Sequence, residues 1–167
     1  HTFSKRADRS HIRAVNINTV GEVPDSSWFT NRAGHDLMKM GDGPSFEGAW
    51  QIVEGKSEGV TPGFRIRDGR GDVYFIKFDP ITNPEMTTAA EMISTHFFNA
   101  IGYNVPENHI VFFNRDQLVM GSKAKIRDAA GKERQMTVND LDQILARVPQ
   151  ATGGKYRAVA SKFLVGK

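Results

Sequence analysis

Apolar and polar positions begin to alternate in short runs only from Ala49 onward. Residues 1–48 carry few periodic apolar positions and many Gly, Asn, Asp and Ser, the pattern of an irregular arm held by isolated anchors such as Trp28, Phe29 and Phe46. Ala49 to Val53 is strand-like, Gly55 to Pro62 reads as a flexible loop, and Phe64 to Arg67 alternates apolar with basic as a half-exposed strand does. Asp68-Gly69-Arg70-Gly71 is a tight hairpin turn. Val73 to Phe78 is apolar on both alternating faces apart from Lys77, which predicts a central strand covered on both sides and ended by Asp79-Pro80.

A helix follows, with Asn83 as its N-cap, Pro84 at the first helical position and Gly102 just past its end. Met86, Ala89, Ala90, Ile93, Phe97 and Ile101 recur three and four apart and predict its core stripe, with Glu91 on the flank. Beyond Val105-Pro106 come a strand at His109 to Phe113, a turn at Asn114-Arg115-Asp116 and a strand at Gln117 to Met120. Lys123 to Arg134 mixes both signs of charge and reads as a solvated hairpin turning at Asp128-Ala129-Ala130-Gly131. Val138 to Arg147 is a short helix capped by Thr137 with Asp140, and Leu141, Ile144, Leu145 and Val148 form its core face. A strand-like segment, Tyr156 to Val165, closes the chain. Together these elements predict an α+β fold, a twisted, mostly antiparallel sheet of about five strands with one principal helix and a second short one. The predicted organisation is an arm over 1–48 and a domain over 49–167.

Composition narrows the function classes. The chain has 167 residues, 39% hydrophobic and 25% charged, enough for one core. No apolar run approaches the roughly 18 to 20 residues a membrane span needs. Without cysteine there are no disulfides and no thiolate metal sites. The net charge is +3, but basic residues are interleaved with acidic ones, which argues against a nucleic-acid surface. The five histidines show no paired ligand spacing, and neither a Gly-x-x-x-x-Gly-Lys-Ser/Thr phosphate loop nor a Gly-x-Ser-x-Gly elbow occurs. Arg70-Gly71-Asp72 falls in a turn that needs such residues anyway.

Lys77 is the residue whose chemistry asks for a reason. A buried ammonium without a partner costs several kcal/mol. Either Glu91 on the following helix compensates it, or the stem packs while the amine snorkels to water at the strand end. The surrounding parts run strand, Gly-containing loop, strand, tight turn, strand with Lys, helix with Glu, then two more strands. With the segments Tyr74-Phe75-Ile76-Lys77-Phe78, Ala89-Ala90-Glu91-Met92 and Ala100-Ile101-Gly102-Tyr103-Asn104-Val105-Pro106, this order resembles the small N-terminal lobe of atypical protein-kinase-like proteins. The resemblance is to the HipA-like and phosphatidylinositol-kinase-like groups, and it covers residues 49–120.

The resemblance implies that Lys77 contacts ATP phosphates, that Glu91 holds its amine, and that a loop containing Gly55, Ser57, Gly59, Thr61 and Gly63 covers the phosphates. Glycines four apart and the charge of Glu58 depart from the usual kinase loop, and a surface hairpin is the alternative there. The accepting carboxylate and the Mg2+ ligands would come from a C-terminal lobe, since nothing after Val105 looks like a catalytic loop. The chain, which begins at His1, is therefore expected to be one lobe of a longer protein, binding ATP without transferring phosphate by itself. The competing expectation is a non-catalytic interaction module of the same shape.

Overall fold

A computed structural model describes residues 25–31, 40–56, 62–127 and 131–164. The described residues form seven strands and two helices. In chain order these are β1 (Trp50–Lys56), β2 (Gly63–Arg67), β3 (Val73–Lys77), α1 (Met86–Ala100), β4 (Asn108–Phe113), β5 (Leu118–Arg127), β6 (Glu133–Gln135), α2 (Val138–Leu145) and β7 (Tyr156–Lys162). One sheet holds all the strands in the order β4-β7-β3-β2-β1-β5-β6. The α+β class holds, but the sheet has seven strands rather than about five and is mixed, because β1 and β5 run parallel. The chain folds β4 onto β7 at one edge and then crosses to the other edge through a turn at Arg115–Gln117. That crossing brings β5 alongside β1 and on into the hairpin with β6. The register slips once, between Ile52 and Glu54.

Alternation along β3 separates the two faces of the sheet. Tyr74, Ile76 and Phe78 are buried on one face with Phe64, Ile66 and Ala160, and α2 closes that face with Leu141, Ile144 and Leu145. On the other face Val73 and Phe75 are only half-buried and Lys77 is exposed, so the expected covering of β3 on both sides is corrected. The cap of α2 is as read: Thr137 Oγ1 accepts from the Asp140 amide, and Asp140 Oδ2 accepts from the Thr137 amide at 2.8 Å.

Helix α1 lies on the second face with its amphipathicity inverted. The residues turned to the sheet are Thr88, Thr95 and Asn99, all buried, together with the half-buried Glu91. The predicted core stripe faces outward, with Met86 60%, Ile93 70% and Phe97 59% exposed. The reason lies in the strands beneath, which set Lys77, Asn108 and Arg157 around the buried Val159, so that the stripe of α1 facing them is bonded through polar side chains. The start of α1 also differs from expectation. Asn83 does not cap it, and Glu85, at the cap position, holds φ 67° with no side-chain hydrogen bond. Instead Asp79, at the end of the β3 segment, accepts from the Thr88 amide at 2.9 Å and from Thr88 Oγ1 at 2.6 Å. A carboxylate at the first turn satisfies an orphan amide and the helix dipole together.

Beyond α1 the chain turns at Gly102, whose φ is 104°. The segment 25–31 docks there, with Thr30 N donating to Gly102 O at 2.7 Å and Asn104 N to Trp28 O at 2.9 Å. Phe46 packs on Trp50 with ring centres 4.9 Å apart. Asp68 is buried and organises the β2–β3 turn, accepting from the amides of Arg70 and Asp72, and also from Ser45 N. Among the described residues no helix is long and apolar enough to cross a membrane.

Candidate functional site

The row of residues across the ends of β1, β2 and β3 places the candidate site. Lys56 pairs with Gly63, Gly63 with Lys77, and Lys77 with Val159 of β7. Both stems of the β1–β2 connection therefore rise from the row that holds Lys77. Ser57, Gly59 and Thr61 of that connection lie outside the described residues, as does Glu58. Gly55 and Gly63 are strand residues rather than loop residues, a correction to the expected loop bounds. Each has a packing reason to be glycine. A Cβ at Gly55 would sit 2.7 Å from Met136 Sδ, and one at Gly63 would sit 2.5 Å from the Ile76 carbonyl oxygen.

Lys77 Nζ donates to Glu91 Oε1 at 2.5 Å. The Lys77 side chain is 45% exposed and that of Glu91 26%, so the ammonium is not buried: it is paired and open to water at once. A pair this exposed is worth about 0–1 kcal/mol. Its consequence is positional rather than stabilising. Glu91 is in turn fixed by Asn108 of β4, whose Nδ2 donates to Glu91 Oε1 at 3.3 Å and to Thr95 Oγ1 at 2.8 Å. Asn108 is buried, and among the described residues nothing meets its Oδ1. Of the three donors on an ammonium, Glu91 takes one at Lys77, and no other described residue bonds this amine.

A second cluster holds α1 at its N-terminus. Asp79 and Thr88 are buried, and Arg157 of β7, its side chain 14% exposed, reaches Asp79 Oδ2 at 3.3 Å and also donates to Thr88 Oγ1. The helix that carries Glu91 is thus anchored by an ion pair, a cap and the Asn108 contact. Alongside Lys77 the sheet face stays uncovered by α1 and forms a shelf. The Arg65 guanidinium carbon lies 4.8 Å from the Phe75 ring centre and 5.2 Å from that of Phe163. Arg65 also pairs with Glu54 at 3.0 Å.

The sequence pointed to Lys77 and Glu91, and the structure brings them together. It did not point to Asn108, Thr95, Asp79 or Arg157. Thr95 stands one turn beyond Glu91 on the same helical row, a spacing that could have marked it. Asn108 and Arg157 come from distant strands and carry no local signal.

The two described histidines stand apart from this site: His96 is exposed on α1, and His109 is half-buried on β4, where burial lowers its pKa. Among the described residues no group of three His, Asp or Glu side chains converges on a metal-sized site. Chemically, the arrangement presents an oriented cation beside an aromatic shelf. Comparison with protein-family models, with curated proteins and with solved structures finds no match to this chain.

Proposed function

We propose that the chain is the ATP-binding small lobe of an atypical kinase-like protein, in which Lys77 contacts the nucleotide phosphates and Glu91 holds its amine. The observation that carries this reading is the half-exposed Lys77–Glu91 pair on the row where the β1–β2 connection closes. An exposed pair that adds little stability but is fixed by a buried asparagine suits a cation kept in place for a ligand. In this reading Ser57, Gly59 and Thr61 approach the phosphates, Gly55 and Gly63 frame them, and Phe75 with Arg65 offers a flat surface to the base. The described residues offer no carboxylate set for Mg2+. The metal ligands and the base for the accepting hydroxyl therefore belong, in this reading, to a C-terminal lobe, and the chain binds without transferring phosphate.

A thermal-shift titration with ATP and Mg2+ tests the reading. Ligand at tenfold its Kd stabilises by about 1.4 kcal/mol, which raises Tm by roughly 3 to 6 °C for a chain of this size. Lys77→Ala should abolish the rise. No shift at millimolar nucleotide, or a shift that Lys77→Ala leaves intact, would refute it. The outward apolar face of α1 favours a second reading, a non-catalytic interaction module.

A further inference from the structure

Asn108 is 3% exposed on β4, and both of the bonds its side chain makes are donations. Its Nδ2 reaches Glu91 Oε1 at 3.3 Å and Thr95 Oγ1 at 2.8 Å, while its Oδ1 meets no described residue. An ionised carboxylate only accepts, so Glu91 decides which way round the amide sits. Lys77 donates to that same oxygen, Oε1. The two donors come from different strands. The sheet runs β4-β7-β3, which sets the strands of Asn108 and Lys77 about 10 Å apart with β7 between them. Glu91 therefore lies over β7 and is held from both sides.

Of the side chains that fit a buried position of this size, the amide alone gives a carboxylate a donor without adding a charge. Leucine would offer no donor, and an ionised carboxyl would repel Glu91. We propose that Asn108 is the positioning residue of the Lys77 anchor: by donating to Glu91 from the strand opposite Lys77, it keeps the carboxylate where it turns the ammonium toward a phosphate ligand. The ligand half of this proposal rests on the reading of the chain as an ATP-binding lobe. The mechanical half, Lys77 ordered by Asn108 through Glu91, does not.

Two measurements separate the halves. Relaxation of 13C at Lys77 Cε reads the order of the amine end with no nucleotide present. In Asn108→Leu that order should fall toward the value at Lys155, which is exposed ahead of β7. Near-UV circular dichroism checks that the variant is folded. In an ATP–Mg2+ titration Asn108→Leu should bind about tenfold more weakly, the worth of one hydrogen bond to a charged group. Asn108→Asp keeps the shape and serves if the leucine variant does not fold. At about pH 5.5 a protonated carboxyl donates as the amide does, and by about pH 8 two carboxyl groups this close repel. Its ATP affinity relative to the original chain, and its Lys77 order, should therefore fall as pH rises, which a merely structural role would not produce. Unchanged Lys77 order in a folded Asn108→Leu, or in Asn108→Asp across this pH range, overturns the proposal. ATP affinity that neither variant alters, in a chain that binds ATP through Lys77, overturns it as well. A chain that binds no ATP refutes the nucleotide reading alone, and the Lys77 order then decides the role of Asn108.

Discussion

Removing the Asp79 carboxylate is the perturbation with the largest consequence that the fold allows to be worked out. Asp79 is 2% exposed and accepts hydrogen bonds from the Thr88 amide, Thr88 Oγ1 and Arg157 Nη1. Loss of a helix N-cap costs about 1 kcal/mol, and leaving one member of a buried ion pair uncompensated costs about 3–5 kcal/mol. Both terms arise from the same carboxylate and overlap, so Asp79→Ala should cost about 4 kcal/mol, against a total stability of about 5–15 kcal/mol. With a urea m-value of about 2 kcal/mol/M, the denaturation midpoint should fall by about 2 M. Circular dichroism in urea measures this. Adding Arg157→Ala to Asp79→Ala should cost little more, because the stranded guanidinium is then gone. A loss below about 1 kcal/mol for Asp79→Ala would refute the reasoning, since it is smaller than the penalty for one stranded buried charge. It would also mean that α1, and Glu91 with it, is held by something else.

Three further outcomes follow from single residues. The Arg134 guanidinium, at 2.6 and 2.7 Å, with the Thr137 contacts, holds the Asp140 carboxyl well below the usual carboxylate range. That stability is present above the unfolded pKa of about 3.9 and is lost as pH falls below it. Asp140→Asn should therefore cost about 1 kcal/mol at pH 7 and flatten the fall of the urea midpoint below about pH 4. Burial lowers the His109 pKa, so stability is lost as pH drops from about 6.5 downward. An NMR titration should place its midpoint below 6.5, and a midpoint above that value would contradict the burial argument. Gly102→Ala would put a Cβ 2.4 Å from the Phe29 ring at φ 104°. It should cost about 1–3 kcal/mol and red-shift Trp28 fluorescence as segment 25–31 lifts off; unchanged emission would count against that docking.

What the sequence made legible depended on how local each determinant is. Helix α2 was legible in place, cap and buried face, because Thr137 and Asp140 stand three apart and Leu141, Ile144 and Leu145 follow at core spacing. The Lys77–Glu91 pair was legible because one turn separates the strand from the helix. Helix α1 was legible as a helix but not in its orientation. It carries two stripes, the apolar Met86, Ile93 and Phe97 and the polar Thr88, Glu91, Thr95 and Asn99, and apolar periodicity selects the first by default. The bed that reverses this choice comes from β4 and β7, and in sequence Arg157 is 69 residues from Thr88. The cap of α1 was hidden in the same way, since Asn83-Pro84 imitates a helix start while the carboxylate that serves is Asp79. Nothing local announces that β5 will lie parallel to β1, because sheet register between distant strands is set by tertiary packing.

The central claim, that Lys77 is a phosphate contact oriented by Glu91, is tested most directly by following backbone amides during an ATP–Mg2+ titration by NMR. The titration should extend to about 10 mM, where a binding free energy of only about −2.7 kcal/mol already gives half-saturation. The account predicts saturable shifts at Gly63, Lys77 and Glu91, none at Leu141 and Ile144 on α2, and loss of the response in Lys77→Met. Flat amides at Gly63, Lys77 and Glu91 across the whole range, or shifts that persist in Lys77→Met, would contradict it.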